Sequence, residues 1–398
     1  PSVTVDESSK TIVEDHLYKL ADAVTDPALA DTDGSESLVL RISPQDSTNS
    51  VLAIDSNHDG VISSSEYVAL PASGYWTIAP EDLAYTYIGG STNWSDEASS
   101  LKFDVTAVAT EDDATVSTPG LDRDGQASSD TYTVTLQVDG NADAMVIVAN
   151  DAGVEDQSGG IPLNPTFQLT DTDGSESLTG TVDLVFASGT LLVNGVEAPH
   201  TDNGDGTVTY HLDVSLFELD SSTNTYSLKD AGSLTYQPVT NSDVDVTYEL
   251  SATTLDNNGS TKTTTAEGTS AITAVADAVV LAAADSGNED TTNALHPTIQ
   301  LTDTDGSETL TGTVDMVFDA ADQSAGKVMV NGVEASYTTN ADGSITYHLD
   351  ASLFTYNSST HTYSLSGSSS VTFVPTTNSD VDVSYGLSAC LLYTSRRG

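Results

Sequence analysis

The 398 residues carry 60 acidic against 10 basic side chains, a formal net charge of −50, with 6% aromatic residues and a single cysteine, Cys390. Nucleic acid is excluded as a partner, because phosphate binding needs a basic footprint, and one cysteine permits no internal disulfide. The charge opposes compaction by self-repulsion unless cations neutralise it.

The length exceeds one ordinary core and suits two to four domains. Disorder is the rival reading for so acidic a chain; regular Val/Thr/Tyr/Leu alternation and long-range repetition argue against it. No apolar run reaches membrane-spanning length, and residues 278–284 fall far short. With neither a signal peptide nor an initiator Met at Pro1, the sequence reads as an excerpt from something longer.

Taken in order, residues 1–141 form a divergent first repeat. It contains the acidic pair Glu14-Asp15, the hexapeptide DTDGSE from Asp31 through Asp33 to Glu36, and a closing strand over 131–138. Two carboxylates on one side of a tight loop, a Gly free to take φ > 0 and a Glu closing the ring offer hard oxygen donors of the kind Ca2+ takes. Between them and the closing strand lies a complete twelve-residue EF-hand loop, with ligands expected from Asp55, Asn57, Asp59, the Val61 carbonyl, Ser63 and Glu66. Its flanks are at best weakly helical, so the loop reads as grafted on a β-module. The aromatics Tyr75, Trp76, Tyr85, Tyr87 and Trp94 cluster here; core packing explains most of them, and exposure of the cluster would favour a binding surface.

Residues 142–276 and 277–389 are two closer copies. DTDGSE recurs with Asp171, Asp173 and Glu176, then 132 residues on with Asp303, Asp305 and Glu308. LTGTVD, VNGVEA, a TYHLD strand and TNSDVDV recur in both, and the third copy gains five residues near 319–327, read as a surface hairpin. Strands are expected at 207–212 and 244–250, with turns at Asn203-Gly204-Asp205-Gly206, Asn257-Asn258-Gly259 and Asp342-Gly343. Only 214–219 and 351–356 offer a helical turn. Many short, evenly spaced strands predict an all-β chain of immunoglobulin- or cadherin-like β-sandwiches joined as an extended rod.

The linkers 141–144 and 275–278 are short and lack Gly/Ser tracts, so they are expected to be semi-rigid. Counting chain reversals brings Asp243 and Asp245 from the end of one repeat, the linker acid Asp277, and Asp303, Asp305 and Glu308 from the next repeat to one junction. Asp143 is the corresponding linker acid before repeat two. An ion between them would offset their repulsion; the alternative is that each loop holds its own ion and the linker stays mobile.

The last nine residues, 390–398, break the pattern with Cys390 and two of the ten basic residues. They read either as a basic anchor or as a non-native end, which would leave repeat three without its closing strands. His211 and His348 fall at equivalent strand positions, which repetition explains. No HExxH, GxSxG, phosphate-binding Gly-rich loop or CxxC is present, and no carboxylate pair stands out, so the chain is read as non-enzymatic.

An Ala-Asp-Ala linker, a Glu-Asp pair and then LTDTDGSE before a strand resemble the tandem repeats of giant repeats-in-toxin (RTX) adhesins exported by type I secretion. The resemblance covers 142–389 well and 1–141 only at its ends. It implies calcium-bound, cadherin-like sandwiches at the bacterial cell surface that hold ligand-binding domains outward for biofilm or surface adhesion. The Gly-rich nonapeptides and C-terminal secretion signal of that family are missing from the sequence, and the EF-hand-like loop is not part of its common repeat. The expected partners are calcium and neighbouring repeats of one monomeric chain. In the alternative, repeat one itself binds a glycan or peptide with calcium.

Overall fold

In the computed structural model, residues 1–31, 34–96, 99–111 and 125–393 are described. Strands and short 3-10 turns are the regular elements there. Among the described residues no helix is long and apolar enough to cross a membrane.

Three apolar cores follow one another along the chain. The first gathers Val3, Leu40, Ile42, Trp76, Phe103 and Val138, the second Met145, Phe167, Phe186, Tyr236, Leu250 and Ile272, and the third Leu295, Ile299, Met316, Phe318, Leu349 and Val371. Period-two alternation produces them, since strands such as Glu176–Phe186 bury Val182, Leu184 and Phe186 while turning Thr181, Asp183 and Val185 outward. In the second core the Phe186 ring stacks on Tyr236 and Tyr248 at 5.0 and 4.7 Å between centroids.

Repeat two is a sandwich. One face is a six-stranded sheet in the order Asn150–Val154, Thr261–Thr273, Val246–Asp256, Glu176–Phe186, Val208–Asp213, His200–Asp202. Two four-stranded sheets close the other face: Val146–Val148, Thr166–Gln168, Thr225–Leu228, Phe217–Asp220, and Ile161–Pro162, Leu234–Gln237, Thr190–Val193, Val196–Glu197. Repeat three reproduces both four-stranded sheets, but its main sheet keeps four strands, Tyr337–Thr339, Ile345–Asp350, Glu308–Phe318 and Tyr385–Tyr393. Cys390 to Tyr393 continue that last strand, with Tyr393 opposite Glu308; the rest of the anomalous tail lies outside the described residues.

Repeat one builds its main sheet from Lys10–Val13, Tyr132–Asp139, Leu101–Glu111, Glu36–Pro44 and Trp76–Ile78. The helical turns read at 214–219 and 351–356 are 3-10 turns at Val214–Leu216 and Ala351–Leu353, followed directly by strands. The insertion in repeat three is a turn between Glu308–Phe318 and Gly326–Val330.

Of the repeat-one aromatics, Trp76 is buried and Tyr75, Tyr85, Tyr87 and Trp94 are half-buried. Trp76 is 2% exposed, with its indole N–H donating to the Val68 carbonyl at 2.9 Å. Tyr85 stacks on His58, Tyr75 lies beneath the Arg41 guanidinium, and Trp94 packs against the first core. Tyr87 is half-buried.

Candidate metal centres at the repeat junctions

Each complete DTDGSE loop first organises itself. The Asp173 N–H donates to Asp171 Oδ1 at 2.9 Å, the Ser175 hydroxyl to Asp171 Oδ2 at 2.6 Å, and the Ser175 N–H to Asp173 Oδ1 at 2.7 Å. Asp303, Asp305 and Ser307 repeat the set at 2.9, 2.8 and 2.6 Å. The glycine is required, because Gly174 and Gly306 sit at φ 88° and 89°. The glutamate does not close this ring. Glu176 Oε1 accepts the Asp143 N–H and Glu308 Oε1 accepts the Asp277 N–H, so each pins the linker that precedes its repeat.

The far end of the preceding repeat meets these loops. At the first junction the Ser95 N–H donates to Asp173 Oδ2 at 2.8 Å and the Asn93 amide to Asp143 Oδ2 at 2.8 Å. At the second the Asp243 N–H donates to Asp305 Oδ2 at 3.3 Å and the Asn241 amide to Asp277 Oδ2 at 2.7 Å. The acidic pairs that open each repeat also arrive here. Asp15 and Asp156 accept the backbone N–H of Asn93 and Asn241 at 2.8 and 3.0 Å.

Glu14 and Glu155 use Oε1 to accept the N–H of Asn141 and Val275, each at 2.6 Å, and turn Oε2, buried and without a hydrogen-bond partner, inward.

Two groups of carboxylates result. Ligand oxygens of Glu14, Asp171 and Asp256 lie within 4.8 Å of one another, as do those of Glu155, Asp303 and Asp305. Buried oxygens of Glu176, Asp256 and Glu308 likewise have no hydrogen-bond partner. Asp256 reaches the first group because its strand pairs it with Glu176 and because the linker residue beside it is Gly140, where a Cβ would collide with the carboxylate.

Burial, with Asp171, Asp256 and Asp143 adding like charge, pushes the Glu14 pKa up to about 8. Burial and neighbouring acids push Glu155 and Glu176 up to about 7 and raise Glu308. Burial also raises Asp143, Asp171 and Asp277. Asp173 and Asp305 stay below the usual range because backbone and hydroxyl donors hold their charged form.

Of the expected ligands, Asp143, Asp171, Asp173, Glu176, Asp243, Asp277, Asp303, Asp305 and Glu308 are brought to the two junctions. For Asp245 the contact shown lies within repeat two, its Oδ1 accepting the Ile272 N–H at 2.8 Å. In the first DTDGSE copy Asp31 is exposed, Glu36 is half-buried opposite Glu111, and Asp33 lies outside the described residues. Glu14, Glu155 and Asp256 were not singled out as ligands from sequence. The Glu-Asp pairs were the available signal for the first two.

The EF-hand loop runs from the strand Ser50–Ile54 to a 3-10 turn at Ser64–Glu66. Asp55 accepts the N–H of Asp59 and Gly60 at 3.2 and 2.9 Å, and Asn57 Oδ1 accepts the Asp59 N–H at 2.9 Å. Glu66 accepts the N–H of Ser56 and Ser63 at 2.9 and 2.8 Å, and those donors hold its pKa down to about 2. Asp59 Oδ1 takes the Val61 N–H at 2.8 Å, and Ser63 Oγ also donates to Glu66. The loop is folded around its own carboxylates, with oxygen donors of the hard-cation type.

No protein-family model and no curated protein matches the sequence. Among solved structures, the chain is similar to a Ca2+-stabilised adhesin that helps an Antarctic bacterium reach out and bind ice, at 16% identity, covering 94% of this chain and 73% of that one, with a TM-score of 0.22. It is similar to mouse cadherin-23 EC22-24 at 13% identity, covering 97% and 94%, with a TM-score of 0.26. A 1.5-MDa bacterial ice-binding adhesin is similar at 14% identity, covering 83% and 88%, with a TM-score of 0.21.

Proposed function

We propose that the chain is a run of extender repeats, with boundaries at 1–141, 142–276 and 277–389, from a bacterial cell-surface adhesin of the RTX type. Their role is reach and stiffness, and Ca2+ binding at the two junctions and in the EF-hand loop supplies the stiffness. The reading includes no catalytic activity.

One observation carries it. Buried carboxylates with unpartnered oxygens converge from three parts of the chain at the first junction and from two at the second. An unpaired buried carboxylate is strongly disfavoured. The donors are all oxygen and the group spans two repeats, which suits a flexible, hard cation such as Ca2+ over Zn2+ or copper. Glu14, Asp143, Asp171, Asp173, Glu176 and Asp256 would hold it at the first junction, and Glu155, Asp243, Asp277, Asp303, Asp305 and Glu308 at the second. Bound there, the ion supplies positive charge that lets the repeats approach and fixes their angle.

The test is a melting scan of the full chain in calcium and in EDTA, with small-angle scattering in both buffers. A large rise in melting temperature and an increase in maximum dimension with calcium are expected. Identical scans would end the metal reading. The recognition alternative for repeat one rests on its aromatics, of which Trp76 is buried and the other four are half-buried.

A further inference from the structure

The two junctions differ at one position of the repeat that precedes the linker. Repeat two meets its junction with Thr240-Asn241-Ser242-Asp243, and repeat one with Thr92-Asn93-Trp94-Ser95-Asp96. The asparagines are equivalent. Asn93 and Asn241 take φ of 53° and 57°, and each donates its side-chain amide to the linker acid of its junction, Asp143 at 2.8 Å and Asp277 at 2.7 Å. Counted from there, Trp94 takes the place of Ser242 and Ser95 the place of Asp243. The backbone contact is kept, since the Ser95 N–H reaches Asp173 Oδ2 at 2.8 Å as the Asp243 N–H reaches Asp305 Oδ2 at 3.3 Å. The Asp243 carboxylate, however, has only a hydroxyl as its counterpart.

In repeat one the acid has moved one residue on, to Asp96, and the contacts shown for it stay inside that repeat. Its carboxylate accepts the Ser99 N–H at 3.1 Å and the Ser99 hydroxyl, and its carbonyl accepts the Gln137 amide at 2.8 Å. Trp94, packed against the first core, anchors the segment in that setting.

Asp243, by contrast, belongs to its junction. It is 0% exposed, and after burial its charge joins those of Asp303 and Asp305 in lifting the Glu155 pKa to about 7. At the first junction the acids that follow burial in lifting Glu14 to about 8 are Asp171, Asp256 and Asp143, none of them from repeat one. Asp256 lies on the repeat-two side and makes up the number of carboxylates, so the total charge offered to an ion does not separate the junctions. They differ in how that charge is divided. Repeat two presents Glu155 and Asp243 across the second junction, whereas repeat one presents Glu14 alone across the first. One tether lets a repeat pivot about a flexibly coordinated ion; a second, anchored elsewhere in the same repeat, removes the pivot.

We propose that the first junction is the hinge of this chain: Ser95, standing where the second junction has Asp243, leaves repeat one held to the shared ion by Glu14 alone. The inference rests on the ion reading above. Calcium still draws repeats one and two together, but it fixes their angle less tightly than that of repeats two and three. The rod keeps its reach while its repeat-one side can change direction.

The test is pulsed electron paramagnetic resonance on the full chain with Cys390→Ser, which removes the one native thiol. Spin labels go on cysteines at the exposed positions Glu81, Glu218 and Thr355, taken pairwise: Glu81→Cys with Glu218→Cys across the first junction, Glu218→Cys with Thr355→Cys across the second. In saturating calcium the distance distribution should be broader across the first junction than across the second. Ser95→Asp should narrow the first, and Asp243→Ser should broaden the second. If Asp243→Ser does not fold, the unsubstituted junctions and Ser95→Asp still decide. Equal narrowing of both distributions by calcium, or a first distribution that Ser95→Asp leaves unchanged, would overturn the hinge and spare the ion reading. Distributions that calcium does not alter at either junction would overturn both.

Discussion

Glu155→Gln separates charge from shape at the second junction. The side chain is 3% exposed, with Oε1 on the Val275 N–H at 2.6 Å and Oε2 facing Asp303 and Asp305 without a hydrogen-bond partner. Burial and those acids lift its pKa from 4.5 to about 7. Above that pH the ionised form is disfavoured in the fold by about 3 kcal/mol at full weight, and by about 1–2 kcal/mol once solvent screening is discounted. Glutamine keeps the acceptor for Val275, removes the charge and turns an amide donor toward the aspartates. In EDTA at pH 8 the variant should therefore melt higher than the parent, by roughly 5 °C for a repeat of this size. In calcium the order should reverse, because a hundredfold weaker site loses about 2.7 kcal/mol of mass-action stabilisation, more than the variant gains without the ion. Calorimetry of both chains in both buffers reads the effect. A change of the same sign in EDTA and calcium, or none, would refute charge compensation at this site.

The pH dependence should also depend on calcium. Glu14, Glu155 and Glu176 have folded-state pKa values raised to about 8, 7 and 7. Between pH 4.5 and 8 the folded chain therefore holds protons that the unfolded chain has released, and stability falls as pH rises. Melting in EDTA should drop across that window, whereas in saturating calcium the drop should vanish, since the ligands bind the ion deprotonated; parallel curves would contradict this. Asp277→Ala removes the linker carboxylate that accepts from Asn241. Scattering should show less calcium-dependent extension than in the parent, and equal stiffening would exclude Asp277 as a ligand. Asp55→Ala should lower the calcium count in native mass spectrometry by one ion without altering the response to Asp277→Ala, and an unchanged count would remove the EF-hand loop from the ion sites.

Much of the fold was legible because repetition and strand alternation are local signals. The EF-hand loop was legible for the same reason, since its candidate ligands lie within twelve consecutive residues. The junction carboxylates were harder. Asp256 lies on a different strand from the loop it joins, and only the register that sets it opposite Glu176 brings the two together. Asp243 and Asp245 look alike in sequence, yet the Asp243 N–H donates to Asp305 of the next repeat whereas Asp245 accepts the Ile272 N–H within its own. Glu14 and Glu155 were visible as half of an acidic pair, but their role depends on a turn at one end of a repeat meeting the loop of the next. The aromatics of repeat one could be read either as core or as a surface, because exposure is a tertiary property. Trp76 enters the core from a three-residue strand, Trp76–Ile78, whose alternation is too short to read by itself.

Magnitudes decide what the junctions require. Like charges at the 4.8 Å limit of each group repel by about 3 kcal/mol per pair at an effective dielectric near 20, so three ionised carboxylates cost about 10 kcal/mol. That rivals the whole stability of a typical domain, about 5–15 kcal/mol. The cross-junction hydrogen bonds from Ser95, Asn93, Asp243 and Asn241 contribute about 1 kcal/mol each and cannot offset it. Protons can, which is what the raised pKa values of Glu14 and Glu155 express, but that remedy fails above pH 8. A divalent cation works at any pH where the acids are charged, and it attracts all three carboxylates at once. The hydrogen bonds then have a different part to play. Their donors come from one repeat and their acceptors from the linker or the next loop, so they set the direction in which the repeats meet, while under the proposed function an ion would determine whether they meet at all.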